Sequence, residues 1–510
     1  MTGAFTFTDL AVLVIYLVAT TALGMWLGRG QKDARDYFVA GRGVPWWAIL
    51  FSVVATETSA LTFISIPGLA YATNLSFLQI AFGYLIGRIV IAYTLLPRYY
   101  QGELVTAYAL LERRFGVSTR RFASVVFMVT RAFGDSVRVF ATAIPVALII
   151  GPLFPGIPVM PLSILILGLF TLVYTYHGGM RAVIWTDVMQ TGVYLLGGVA
   201  ALYLIGVGVD GGWTSILAGA GAEGKLRMID TYTGFDRPHT LWAGLIGGAF
   251  LSMASHGADQ LIVQRLLASQ NLRDARRALI GSGIVVIAQF ALFLIIGIGL
   301  YAFYEGRSFA IPDQIFPTFI VEVMPPGLTG LVIAAILAAA MSTVSGSLNS
   351  LSAATVIDLY LPVTGRSSGE AGVLRLSRLF TLFWAVVLIG GAMLYRAEGT
   401  PVVTVALSIA SFTYGGLLGG FFLGMVWRRA IQRDAILGMS TGIICMTFVV
   451  FAKPLAKLIP SLSDALGPLA TIAWPWYVLI GTSITMLTGI LSSYTHPYPA
   501  QPVQIQERAA

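Results

Sequence analysis

Seven charged residues lie inside otherwise apolar stretches of this chain: the acids Glu57, Asp135, Asp187 and Asp259, and the bases Arg88, Arg131 and Arg138. A charge at the centre of a bilayer costs at least ~2.5–3.5 kcal/mol, so each needs a partner or a function. An internal ion pair accounts for any one of them alone. A different chemistry comes from the run Ala339-Ala340-Met341-Ser342-Thr343-Val344-Ser345-Gly346-Ser347. On a helix the carbonyl of residue i lies beside the side chains of i+3 and i+4, so the Ala339 carbonyl and the Ser342 and Thr343 hydroxyls converge on one point. Carbonyls released by unwinding at Ala55 and Thr58 would bring the set to five neutral oxygens, which suits a hard, weakly held monovalent cation such as Na⁺. The same hydroxyl run also serves as glue between helices. Arg131, Asp135 and Arg138 form a third group, in which i,i+4 and i,i+3 spacing lets Asp135 reach both arginines. One acid for two bases leaves a guanidinium to take a carboxylate bidentately. If the surplus pairs with Glu57 or Asp259 instead, a zwitterionic or neutral solute is favoured.

The elements that hold these groups follow from composition. Of 510 residues 57% are hydrophobic and 11% charged, against roughly 25% charge in soluble domains. One cysteine, Cys445, excludes a disulfide scaffold, and His177, His239, His256 and His496 show no metal-ligand spacing. There is no phosphate loop, nucleotide motif or arguable nucleophilic triad, which leaves an intramembrane enzyme, like a gated channel, as a remote alternative. A helix needs about 20 apolar residues to cross a bilayer. Thirteen segments qualify: 6–27, 45–71, 76–97, 121–150, 160–177, 184–208, 240–267, 277–304, 326–358, 375–396, 401–426, 435–453 and 472–493. They are too long and unalternating for barrel strands, so the chain reads as an all-α polytopic membrane protein, one transmembrane domain over 1–510. With the N-terminus outside, inner loops and flanks hold 21 of the 31 Lys and Arg and outer loops hold seven. This asymmetry orients the chain N-out and C-in in the cell membrane. Basic loops beside anionic lipid account for the net charge of +8 without a nucleic-acid partner, and no obligate protein partner is implied. Segment 6–27 lacks a basic leader and reads as a retained helix; 494–510 reads as a short cytoplasmic tail.

Segments two and seven break their own apolar patterns. The second does so with Thr56, Glu57, Thr58, Ser59 and Thr62 before Pro67-Gly68, the seventh with Ser252, Ser255, His256, Gly257, Asp259 and Gln260. Such stretches unwind where backbone lines a cavity. Five spans apart, the two segments must run in opposite directions. If 45–208 and 240–426 are repeats, they are inverted ones, each opening on a broken helix, a common plan of secondary transporters.

These residues resemble the sodium/solute symporter family, which includes sodium/glucose, proline, iodide and monocarboxylate carriers. The resemblance runs from Asp36-Tyr37-Phe38-Val39-Ala40-Gly41-Arg42 and Pro45-Trp46-Trp47 through ATETSALTF at 55–63. It continues in HGGMRAVIWTDVMQ at 177–190, ADQLIVQRLLA at 258–268 and LAAAMSTVSGSLNS at 337–350. It implies a leucine-transporter-type core of two inverted five-helix repeats in helices two to eleven, Na⁺ as coupling ion and alternating-access import of a small organic solute. The family's Na⁺ site falls on Ala55, Thr58, Ala339, Ser342 and Thr343. A second Na⁺ site, or an exit path, would use Asp187 and Ser345 with Ser342, although Gly346 stands where some two-sodium relatives have Ser or Thr. Candidate solute contacts are Glu57, Ser59, Thr62, Arg138, Asp259, Gln260 and Ser411. The Glu-Gln pair of glucose carriers is replaced by Leu61 and Thr62, and their glutamine of helix eleven is missing from 402–416, which argues against a sugar. The motifs resemble most the iodide, monocarboxylate and multivitamin branch, so the expected solute is a small organic anion such as a monocarboxylate. A zwitterionic or neutral solute remains the alternative.

Overall fold

The computed structural model describes residues 6–498 except 30, 59, 103, 152–155, 310, 368, 370–371 and 397–401. Among the described residues all regular elements are helical, as backbone groups in lipid require. Helix α1 is Phe7–Leu27; α2 consists of Trp46–Glu57 and Ala60–Ala72, bent by 62°. Helix α3 is Leu78–Tyr93, continued by Leu95–Tyr99, and α4 is Val117–Ile150. Helices α5 and α6, residues 159–178 and 180–208, are halves of the run Val159–Gly208, which turns at Gly179 (φ 53°, ψ −151°). Helix α7 is Gly248–Gly257 plus Gln260–Leu267, α8 Leu272–Phe303 and α9 Leu328–Ala353. Then follow α10 (Val373–Leu394), α11 (Val402–Val426), α12 (Gln432–Val450) and α13 (Tyr477–Ser493).

Eight described helices are long and apolar enough to cross a membrane alone, nine if the two pieces of α2 count as one span. Division at Gly179 and the addition of α4, α7 and α11 complete the thirteen segments. The expected loop at 178–183 is absent: a single glycine makes the turn, where an added Cβ would lie 2.4 Å from the Tyr37 carbonyl oxygen.

Loops sort to two ends, as thirteen crossings demand. At one end Val44 bridges Ser269, Arg42 donates to the Leu104 carbonyl, and Arg114 to that of Trp427. At the other, Lys225 Nζ donates to the Tyr71 carbonyl, Gln79 to that of His239, and the Ala473 N–H to that of Phe235.

Helix α9 is the central element, buried at almost every position from Thr329 to Ala353 and packed chiefly on α5, α6 and α1. Its first-turn N–H groups have no helical partner. Asp9, 1% exposed, accepts from the N–H groups of Gly327 (2.7 Å) and Gly330 (2.8 Å).

Candidate functional site: an ion-sized cavity beside buried charge pairs

The first piece of α2 ends at Glu57, and Thr58 leaves the helix with ψ 102°. Carbonyls of a helix's last turn, here including Ala55, lose their i+4 donors. Helix α9 packs against both pieces of α2 and brings Ala339 and Ser342 to this break. Between them lies a cavity of about 10 Å³ lined by Ala55, Thr58, Ala339 and Ser342, with Gln190, Thr191 and Tyr194 of α6. That is room for about one water-sized particle. Thr343 is buried next to it, and its hydroxyl donates to the Ala339 carbonyl at 3.2 Å. The Thr58 hydroxyl accepts from Gln289 Nε2 at 2.6 Å.

Hydroxyl orientation at the cavity is set by Asp187. Ser342 Oγ donates to Asp187 Oδ1 at 2.7 Å, which leaves the serine lone pairs for an ion. Asp187 Oδ2 accepts from Ser52 Oγ (2.5 Å) and Arg265 Nη2 (3.2 Å), and Arg265 Nε donates to Ser52 Oγ (2.9 Å). Both charged side chains are 0% exposed. Ser345 does not join this network; its hydroxyl donates to the Ser342 carbonyl at 3.1 Å. A Cβ on Gly346 would fall 2.5 Å from Arg265 Nη2, so the glycine makes room for the guanidinium. Of the residues expected at a second Na⁺ site or exit path, Asp187 is thus in contact with Arg265, while Ser345 turns to the backbone of its own helix.

A second buried cluster joins α4, α7, α9 and α11. Asp259 caps the second piece of α7, accepting from the Leu261 N–H at 2.8 Å, while its other oxygen takes Arg131 and the Tyr414 hydroxyl (2.7 Å). Asp135 Oδ1 lies 3.3 Å from both Arg131 and Arg138, and Asp135 Oδ2 accepts from Ser347 Oγ at 2.5 Å. The expectation of one acid for two bases is thus corrected to two acids for two bases. Arg138 meets Asp135 at 3.3 Å and keeps 22% of its side chain exposed, against 7% for Arg131.

Glu57 pairs with Arg88, whose other nitrogen donates to Ser282 Oγ at 3.0 Å. The Glu57 carboxylate thus has an arginine partner and keeps 17% of its side chain exposed. Gln260 is 0% exposed and accepts from the Ala107 N–H at 2.7 Å, with its amide nitrogen 3.3 Å from Gln264 Oε1. It fastens α7 to the loop after α3. Thr62 is half-buried on the second piece of α2. Ser59 and the Ser411 side chain lie outside the described residues.

Residues 37–442 match the sodium:solute symporter family. The chain belongs to that family. It is 30% identical over 488 residues to the sodium/sialic acid symporter NanT of Aliivibrio fischeri, covering 94% of this chain and 92% of that one. The sodium/sialic acid symporter SiaT of Proteus mirabilis is 31% identical, over 87% and 89%. A solved substrate-bound, outward-open Na⁺-coupled sialic acid symporter superposes with a TM-score of 0.84 at 29% identity, over 98% and 100%. This chain is accordingly a multi-pass, Na⁺-coupled symporter of a small solute, with the leucine-transporter-type fold.

Several polar residues around the symporter's cavity escape a reading of its sequence. Arg265 counts there as a basic residue flanking a loop, and Arg88 as a span charge without a partner. Gln190, Tyr194 and Gln289 carry no charge and look like ordinary span polarity. For Gln190 a signal existed: it follows Asp187 by three positions and so shares its face of α6.

Proposed function

We propose that this symporter carries one Na⁺ with one small organic anion per cycle, by alternating access between two inverted repeats, 45–208 and 240–426, in a chain oriented N-out and C-in. Na⁺ would sit among the carbonyls of Ala55, Thr58 and Ala339 and the hydroxyls of Ser342 and Thr343. A carboxylate of the solute would engage Arg138, the least buried and least committed arginine of its cluster.

One observation carries the reading. Around the broken helices four acids meet four arginines: Glu57 with Arg88, Asp187 with Arg265, and Asp135 and Asp259 with Arg131 and Arg138. These eight charges cancel before any ligand arrives. A bound Na⁺ adds one positive charge to a low-dielectric site, where an unpaired charge is costly. A monoanion cancels it; a zwitterion or neutral solute does not. The similarity to sodium/sialic acid symporters agrees with an anionic solute. A single Na⁺ follows from Arg265, whose guanidinium supplies Asp187 with the cation a second ion would provide.

A thermal-shift screen of the purified protein against organic acids, amino acids and sugars, with Na⁺ or choline, tests this. A ligand of the folded state stabilises by mass action, and coupling is reciprocal. Organic acids should stabilise in Na⁺ and much less in choline. Na⁺-dependent stabilisation by amino acids or sugars alone would overturn the anion assignment.

A further inference from the structure

Where α5 turns into α6, the end of α1 and the start of α10 meet it and bring basic side chains that no acid answers. Gly28, which closes α1, lies against Gly178, too close for an added Cβ, and Arg29 follows it. Arg181 stands two residues beyond the turn at Gly179, and Arg375 and Arg378 lie in the first two turns of α10. Arg378 Nη2 donates to Gln31 Oε1 at 3.4 Å, and the Tyr37 hydroxyl joins the Thr175 carbonyl (3.1 Å) to the Thr381 hydroxyl (3.0 Å). Arg29, Lys32, Arg181 and Arg375 are exposed, and their side chains have no ion pair or hydrogen bond among the described residues. The neighbouring acids turn to backbone instead: Asp33 accepts from the Asp36 N–H (2.7 Å) and Asp36 from the Lys32 N–H (3.3 Å). Arg378 Nε and Gln31 Nε2 are buried donors without an acceptor, which is rare in folded proteins. Elsewhere at this end of the bundle Arg42, Arg98, Arg113, Arg114 and Arg276 spend their guanidinia on backbone carbonyls.

We infer that this elbow binds the headgroup of an anionic phospholipid: its phosphate lies among Arg29, Arg181 and Arg378, with Lys32 and Arg375 at the rim. A guanidinium offers a phosphate two parallel N–H donors, and basic pockets between transmembrane helices are suited to acidic headgroups. The apolar surface beside the cations favours a lipid over a free anion. Exposed Leu165, Leu169 and Val173 descend α5 at i+4 spacing to exposed His177, and Val386, Leu382 and Leu379 descend α10 towards Arg375. Acyl chains have those faces to lie along, directly below the charges. Trp26, exposed at the end of α1 three residues before Arg29, is the residue type that settles at the membrane–water boundary. A headgroup held there ties α1, the α5–α6 turn and α10 together, and so braces α6, which lines the ion-sized cavity. The inference is independent of the sodium and solute assignments.

The test uses the full-length protein in a neutral detergent. Thermal stability is titrated with phosphatidylglycerol, and in parallel with phosphatidylcholine and with inorganic phosphate. The variants are Arg378→Gln, Arg29→Gln/Arg181→Gln and, as a control, Arg273→Gln/Arg433→Gln, which removes two exposed charges elsewhere at the same end. Phosphatidylglycerol should stabilise the wild type, and phosphatidylcholine and phosphate much less. At about 1 kcal/mol for each basic residue near an anionic lipid surface, Arg378→Gln should raise the phosphatidylglycerol concentration for half-maximal stabilisation roughly fivefold and Arg29→Gln/Arg181→Gln roughly thirtyfold. Arg273→Gln/Arg433→Gln should leave it in place. Equal weakening in this control shows diffuse attraction to the whole basic end and overturns the site. Equal stabilisation by phosphatidylcholine overturns recognition of charge, and equal stabilisation by inorganic phosphate overturns the lipid as ligand in favour of a free anion. Should Arg378→Gln fail to fold, the exposed pair Arg29→Gln/Arg181→Gln decides by the same titration.

Discussion

Removing the Arg265 guanidinium should be the most damaging single change beside the sodium cavity, and removing Asp187 along with it should undo most of the damage. Both side chains are fully buried, and the carboxylate accepts from Ser52, Ser342 and Arg265 within 3.2 Å. Arg265→Met leaves that carboxylate ionised in a low-dielectric interior with only two hydroxyl donors. Stranding one partner of a buried pair costs about 3–5 kcal/mol, whereas replacing both with neutral groups of similar size is near neutral. Asp187→Asn/Arg265→Met should then recover most of the loss, which corresponds to a coupling of about 3 kcal/mol in a double-mutant cycle. Thermal unfolding of purified protein in choline ranks the four variants. A second readout comes from Na⁺. In Arg265→Met the aspartate has lost its fixed cation, so Na⁺ should stabilise this variant more steeply than wild type, and K⁺ much less. The reasoning is refuted if the double variant is no more stable than Arg265→Met, or if Na⁺ and choline act alike on the single variant.

Ser342→Ala and Thr343→Ala should each raise the Na⁺ concentration for half-maximal uptake about 5- to 150-fold, the equivalent of ~1–3 kcal/mol for a lost ligand, while Thr343→Ser should be mild. Ser347→Ala removes a donor to Asp135, and uptake assays should show it altering solute dependence while leaving Na⁺ dependence in place. Arg138→Gln should raise the apparent KM steeply with Na⁺ affinity, measured without solute, unchanged; loss of expression, restored by also removing Asp135, would identify a structural pair instead. Uptake of a proven monoanion should respond little to a valinomycin-imposed K⁺ potential, because one Na⁺ and one anion carry no net charge, whereas one uncompensated charge across 100 mV would supply ~2.3 kcal/mol. His496 packs its Nε2 2.9 Å from Asp434 and thereby titrates above its ordinary value of 6.5. The stabilisation it lends to the segment after α13 is therefore complete below pH 6.5 and lost as pH rises through the raised value. Limited proteolysis of the C-terminal segment should accelerate over that range in wild type and be flat in His496→Gln.

The helices of this symporter were legible because hydropathy is a property of each segment by itself, and so were the two breaks, where polar runs interrupt apolar ones. The gathering of Ala55, Thr58, Ala339 and Ser342 around one cavity was also within reach, since i, i+3 and i+4 fix which oxygens of α9 share a face and unwinding fixes which carbonyls of α2 are spare. What could not be read was cancellation of charge, which depends on how helices distant in sequence pack. Arg265 follows an apolar run and precedes the basic group Arg273, Arg276 and Arg277, the pattern of an inner loop. Only the break at 257–260 turns the second piece of α7 inward and buries it. That single placement reverses the meaning of Gly346, from a missing ligand to the space a guanidinium needs. It also changes the argument about the solute. Read from α4 alone, an anion was expected because an arginine was left over; with Asp259 on Arg131 and Arg265 on Asp187, none is. The case for an anion now rests on the opposite premise, that the eight charges around the broken helices already cancel, so that the positive charge without a partner among them is the one Na⁺ brings in.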